Sequence, residues 1–329
     1  MRWTLLLLLA VSVSCFSQPT LKVATIAPKG SIYHRTLQEM GEAYRKASVP
    51  GARFLIYTDG IQGTEADTVR RMRVAQLDAS MLTVVGLSEI DRSVAALQYM
   101  PMMFRSWEEL DHVRERLQDE LEAKLAAKGF AVLIWGEGGW VQFFTKEPLL
   151  HPDEFRRARI FAWSGDIAQA AVMKQLGYQP VPIPIADILP ALETGMVDAV
   201  PVAPLWTLVG QFDRITSYML RVNWVPIVGA TVMRKQTLES LKPEAREALL
   251  ATARQATAKL RAYRAVQDEE SIRAMEKRGL KVRELTPELE RAWRELAERS
   301  WPHVRGSMVP AETFDRVREI LAEYRKAGK

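Results

Sequence analysis

Apolar residues change their spacing repeatedly along the chain, and each change marks the border of a strand or a helix. The clearest alternation lies between residues 155 and 198. Arg159-Ile160-Phe161-Ala162-Trp163 is a short apolar run stopped by Ser164-Gly165, and Asp166 follows in a position to cap a helix. That helix carries Ile167, Ala170, Ala171 and Leu176 on its apolar positions and ends at Gly177. Residues 181–185 form an extended, proline-spaced run. Asp187 is placed to cap a second helix, which Gly195 ends before Met196-Val197-Asp198-Ala199-Val200. Strand, helix, strand, helix, strand is one lobe of an α/β protein, with ligand-facing loops at the strand ends.

The remainder reads in the same way. A strand over residues 21–26 leads to Ser31, a helix cap, and to Tyr33, Leu37, Met40, Tyr44 and Ala47, which step by four and three along one buried face. A strand over 53–58 precedes a helix with Val69, Met72 and Leu77, and Asp78-Ala79-Ser80-Met81-Leu82 is the next strand. Met100, Met102 and Met103 are read as core filling. Leu110, Val113, Leu117, Leu121 and Leu125 share one face of a helix over 106–128 that Gly129 stops. A buried strand follows over 130–135. Residues 228–233 are a further strand, and residues 244–277 are one uninterrupted helical pattern. Thr286-Pro287-Glu288 then starts the first of two closing amphipathic helices.

Composition adds bounds. The chain has 329 residues, 48% hydrophobic and 26% charged, enough for two lobes with separate cores. The +5 balance sets 45 basic against 40 acidic residues, interleaved along the late helices, so no one-sided stripe for nucleic acid arises. Residues 1–17 have Arg2, a short apolar run over 5–13 and small residues after it, the pattern of a secretory signal. Export to the periplasm is therefore expected. Cys15, the single cysteine, lies at its end; lipid anchoring there stays an alternative to removal with the signal.

The catalytic inventory is thin. His34, His112, His151 and His303 have no ligand spacing, and no nucleophile elbow or zinc-type histidine pair occurs. Gly136-Glu137-Gly138-Gly139 lacks the Gly-Lys-Ser/Thr of a phosphate loop. The reading is of a protein that is no enzyme and uses no metal and no cofactor.

Three segments in order carry a family resemblance: Arg159-Ile160-Phe161-Ala162, Leu176-Gly177-Tyr178-Gln179-Pro180-Val181-Pro182, and Ala191-Leu192-Glu193-Thr194-Gly195-Met196-Val197-Asp198-Ala199. Gly60-Ile61-Gln62-Gly63-Thr64-Glu65 and Tyr99-Met100-Pro101 support it. The chain resembles the DctP-like solute-binding proteins of tripartite ATP-independent periplasmic (TRAP) transporters. The resemblance implies a two-lobed α/β, periplasmic-binding-protein-like fold with a long helix packed across both lobes. On that reading residues 18–138 plus 227–266 form lobe I, and residues 139–226 plus 267–329 form lobe II, the latter including both closing helices. It also implies capture of a small molecule in the cleft by hinge closure, and delivery to the membrane subunits of a permease.

The resemblance also exposes a departure. Phe161, Val141 and Val202 stand where family members place Arg, Arg and Asn. A desolvated carboxylate needs a matched donor, and a bidentate guanidinium is the best available. These swaps point to a hydrophobic or amphipathic ligand held by Trp140, Val141, Phe143, Phe161, Trp163, Val202, Trp206 and Trp224. Three alternatives stay open. Arg159, two residues from Phe161 on the same strand face, could compensate for an organic acid, with help from Lys29, Arg157 or Gln142. The pocket could have collapsed around Phe161 and Trp163. An exported lipid-handling protein or enzyme without a permease is the reading from another class.

Overall fold

The computed structural model describes residues 20–328; the expected signal segment, with Cys15, lies outside them. Two sheets organise the chain. The first contains β1 (Thr20–Thr25), β2 (Arg53–Tyr57), β3 (Ala79–Thr83), β4 (Phe130–Trp140) and the late strand β10 (Pro226–Arg234). The second contains β5 (Gln142–Thr145), β6 (Arg159–Trp163), β7 (Gln179–Ile183), β8 (Ala199–Val202), β9 (Tyr218–Arg221) and β11 (Lys281–Glu284). Their orders are β2-β1-β3-β10-β4 and β11-β9-β5-β8-β6-β7. Both sheets are mixed: β1 runs parallel to β2 and β3, while β10 is antiparallel to β3 and β4. In the second sheet β5 opposes β8 and β9.

The chain passes between the lobes from β4 to β5 at Val141, and returns from β9 to β10 through residues 222–225. Backbone bonds tie the crossings together: Val141 N–H donates to Val225 O at 2.9 Å, and Trp224 N–H to Val141 O at 3.0 Å. The glycine-rich stretch 136–139 continues β4 against β10, where sequence alone showed only the absence of a phosphate loop. Gly139 (φ +96) permits this course; a Cβ there would lie 2.4 Å from an Asp268 carboxylate oxygen.

The helix Pro243–Glu276 spans both lobes, as the resemblance implied. Leu249, Ala253, Ala256 and Leu260 pack with Leu37, Met40 and Ile134 of the first lobe, whereas Ile272 and Met275 pack with Phe144 and Met219 of the second. At its middle a buried ionic strut joins it to β4 and to the helix Trp107–Ala127. Arg114 and Arg264 both bond Glu137 and Asp111; Arg264 lies 3.1 Å from the Glu137 carboxylate and Arg114 2.9 Å from Asp111. Arg264 also stacks 4.9 Å above the Trp107 ring.

Most caps match the sequence reading. Ser31, Asp166 and Thr286 each accept a first-turn N–H, and so does Ser106, expected only as the start of its helix. Asp187 is the exception: it precedes the helix Ile188–Glu193 without a capping hydrogen bond. The closing helices divide otherwise than expected. Pro287–Val304 buries Trp293 and Leu296 in the second lobe. Ala311–Lys326, expected on the second lobe, instead packs Phe314, Val317 and Leu321 against Leu110, Leu117 and Leu121 of the first. Its apolar stripe fits either lobe; Arg325, clamped on Glu109 at 2.7 and 2.8 Å, fixes the choice.

Candidate functional site

The short strands of the second sheet bring bulky side chains from both of their faces to the space between the lobes. A cavity of about 210 Å³ lies there. The second lobe gives it Phe143, Ile160, Phe161, Trp163, Tyr178, Val202 and Trp206, and the crossings add Val141 and Trp224. The first lobe contributes smaller or more polar groups, among them Ile26, Thr83, Val85, Gln98 and Tyr99. Beneath them four rings lock edge to face: Trp224 stands 5.7 Å from Trp293 at 73°, and Phe155 5.3 Å from Trp293 at 75°. Phe143 completes the set, 5.1 Å from Phe155. Edge-to-face rings hold one another in orientation, so this floor is stiff.

Of the eight residues expected to bind ligand, Val141, Phe143, Phe161, Trp163, Val202, Trp206 and Trp224 line the cavity. Trp140 does not. It ends β4 with its ring turned into the first lobe, 4.9 Å from Trp107, and its N–H donates to Asp268 at 2.8 Å. Phe155, Tyr178 and Trp293 line the cavity without having been singled out. Trp293 arrives from a helix far along the chain, and no local pattern distinguishes a core tryptophan from a cavity wall.

The compensating cations are elsewhere. Arg159 opens β6 on the exposed side, and its guanidinium forks onto Asp198 with two bonds of 2.8 Å. Lys29 and Arg157 are exposed and outside the cavity wall. Gln142 is buried but spent on the hinge: it accepts from Val222 and Asn223 N–H at 2.8 and 3.0 Å and donates to Asn223 at 2.6 Å. Among the described residues no lysine, arginine or histidine lines the cavity. Nor has it collapsed onto Phe161 and Trp163, since the open volume stands between them and the first lobe.

Its one ionisable carboxyl is Asp166, 7% exposed. Asp166 accepts Gln169 N–H at 3.0 Å, as the helix cap, and the Tyr99 hydroxyl, which reaches across from the first lobe. Burial pushes this carboxyl above its ordinary range, and burial together with the Asp166 charge pushes the Tyr99 phenol well up. Behind Thr83 lies Glu65, fully buried. It accepts Thr83 N–H and hydroxyl at 2.6 Å each and Gly86 N–H at 3.1 Å. Burial still raises it to about 7, against these hydrogen bonds.

Comparison with known proteins gives a consistent result. The family model described as bacterial extracellular solute-binding protein, family 7 (DctP), matches residues 23–306. The chain is 23% identical over 285 residues to the 2,3-diketo-L-gulonate-binding periplasmic protein YiaO of Escherichia coli (strain K12), covering 84% of both. It is 23% identical over 327 residues to the C4-dicarboxylate-binding periplasmic protein DctP of Rhodobacter capsulatus, covering 96% of this chain and 95% of that protein. In fold it is similar to a TRAP periplasmic solute-binding protein from Shewanella oneidensis with bound succinate: TM-score 0.83 at 14% identity, over 93% of this chain and 100% of that one.

Proposed function

This chain belongs to the bacterial extracellular solute-binding proteins of family 7, and from that premise we propose that it is the periplasmic receptor of a TRAP-type transporter whose cargo is hydrophobic or amphipathic. The observation that carries the cargo class is the cavity wall, built of rings and branched hydrocarbon with no cationic side chain. The relatives compared above are named for acids or hold one. An acid entering this cavity would lose its water with no guanidinium or ammonium to meet it, at a cost of several kcal/mol. An apolar ligand gains instead: covering about 300 Å² of its surface yields roughly 7 kcal/mol before association costs. The gross figure corresponds to a dissociation constant of about 10 μM before those costs, so binding no tighter than that is expected without an ion pair.

The fold supplies the capture mechanism. Two crossings latched at Val141 and Trp224 leave the lobes hinged along one line, and the long helix limits their travel. A ligand touching Phe161 and Trp163 on one side and Tyr99 and Ile26 on the other is worth more to the closed form than to the open one. It therefore shifts the population towards closure. The closed receptor then presents its cargo to the permease subunits in the membrane.

Native mass spectrometry of the protein as purified, with fluorescence titration of the neutral probe N-phenyl-1-naphthylamine, tests this reading. Probe binding in the micromolar range is the expected result, with melting temperature unmoved by millimolar succinate or galacturonate. A melting temperature raised by either acid at micromolar concentration would reject the apolar cargo while leaving the receptor role intact.

A further inference from the structure

Apolar walls explain why the cavity excludes anions; they do not explain why it keeps an acid. Asp166 is buried at the wall of the cavity and takes part in no ion pair among the described residues. Among the described residues its carboxylate accepts from two neutral donors, the Tyr99 hydroxyl and Gln169 N–H. A carboxylate can accept about four hydrogen bonds, so about two acceptor positions remain unfilled. The indole of Trp163 lies against Gly165, where an added Cβ would sit 3.2 Å from the ring, and Trp163 lines the same cavity as Asp166. Glu65, beyond Thr83 and Tyr99, adds a second buried acid, and no base faces either one.

Resting on the apolar-cargo reading above, we propose that the cargo carries a protonated amine, seated on Asp166 with its hydrocarbon or aromatic body among Phe161, Trp163 and Trp206. The chemistry is complementary on each count. An ammonium supplies the donors and the charge that Asp166 lacks, and aromatic faces attract a cation that has left water. Burial disfavours the ionised carboxyl of Asp166 in the empty cavity. An ammonium placed beside it reverses that preference. The cargo class is thus narrowed from hydrophobic molecules in general to cationic amphiphiles.

Three probes of one shape test this on the full chain by isothermal titration calorimetry: 2-phenylethylamine, 2-phenylethanol and phenylacetate. In the native protein the amine should bind about tenfold more tightly than the alcohol, the scale of one charge-assisted hydrogen bond. Phenylacetate should bind more weakly than both. Asp166→Asn keeps a helix-capping side chain, and the amine-to-alcohol ratio should fall to near unity; a ratio taken within one protein cancels any general change in the cavity. An amine that binds no better than the alcohol, or not at all, overturns the proposal, as does an unchanged ratio in the variant. If the alcohol binds without any preference for the amine, the apolar cavity stands and only its cationic selectivity falls. If phenylacetate binds tightest, the apolar reading falls as well.

Discussion

Two buried regions of the molecule are built from opposite chemistry. In one, Arg114 and Arg264, 4% and 6% exposed, close on Glu137 and Asp111 and strap the long helix to the first lobe. The other is the cavity, with Asp166 and, behind Thr83, Glu65, and no lysine, arginine or histidine among its described lining residues. The same type of acid behaves differently in the two places. Burial pushes Asp111 up, yet the hydrogen bonds and charge of Arg264, with Arg114 and Arg261, hold it below the usual carboxylate range. Glu65 and Asp166, lacking such partners, are raised. What separates the regions is not burial but where the guanidinium groups are used. Among the described residues the two buried arginines, Arg114 and Arg264, both serve the strut, and no arginine lines the cavity.

The largest effect should come from breaking the strut. Glu137→Ala, or Arg264→Ala, leaves buried charge without its partner and should cost about 3–5 kcal/mol of stability. Urea denaturation reads this as a lower midpoint with an unchanged slope. A loss under about 1 kcal/mol would mean that the strut is no more than a surface-type contact, and the contrast with the cavity would lose its basis.

An intermediate effect should appear with pH. Burial raises Glu65 from 4.5 to about 7, and burial likewise raises Asp268, beside the hinge at Trp140, from 3.8 to about 7. Each binds its proton more tightly in the folded chain than in the unfolded one. The stability each contributes is complete below its unfolded value and is lost as pH climbs through about 7, by roughly 3–4 kcal/mol apiece at most. Carboxyls held low by arginine, such as Asp111, respond only in the acid range below their unfolded value. The thermal midpoint should therefore be higher at about pH 5.5 than at about pH 8. A midpoint that rises across this interval would show that the unpaired acids are not raised.

The smallest effect should come from Arg159. Its fork onto Asp198 is half exposed, so Arg159→Ala should shift stability by less than about 1 kcal/mol. Binding of N-phenyl-1-naphthylamine should stay the same in this variant. A tenfold change in that affinity would return Arg159 to the cleft and restore the organic-acid alternative.

Much of this was legible in the primary structure. Polar-to-apolar spacing placed the long helix at 244–277, one residue from its observed span Pro243–Glu276. The caps at Ser31, Asp166 and Thr286 were readable because a cap is a contact within three residues. Val141, Phe143, Phe161, Trp163, Val202, Trp206 and Trp224, expected around the cleft because the resemblance implied polar residues at 141, 161 and 202, line the cavity. Errors fell where a side chain had two faces open to it. Trp140 and Val141 are neighbours, but successive side chains on a strand point to opposite sides, and only the pairing of β4 with β10 sends the indole to Trp107.

Local spacing thus determined most of the strands and helices, and the ordered motifs between residues 159 and 199 carried the family resemblance. Tertiary structure alone decided that Ala311–Lys326 returns to the first lobe, that Trp293 joins Phe155 under the cavity, and that Tyr99 reaches Asp166 across 67 residues of chain. The physical reason is one of range. Periodicity and capping are interactions within a turn or a strand pair. Which acid is left without a cation depends on where every arginine of the folded chain has already found its partner.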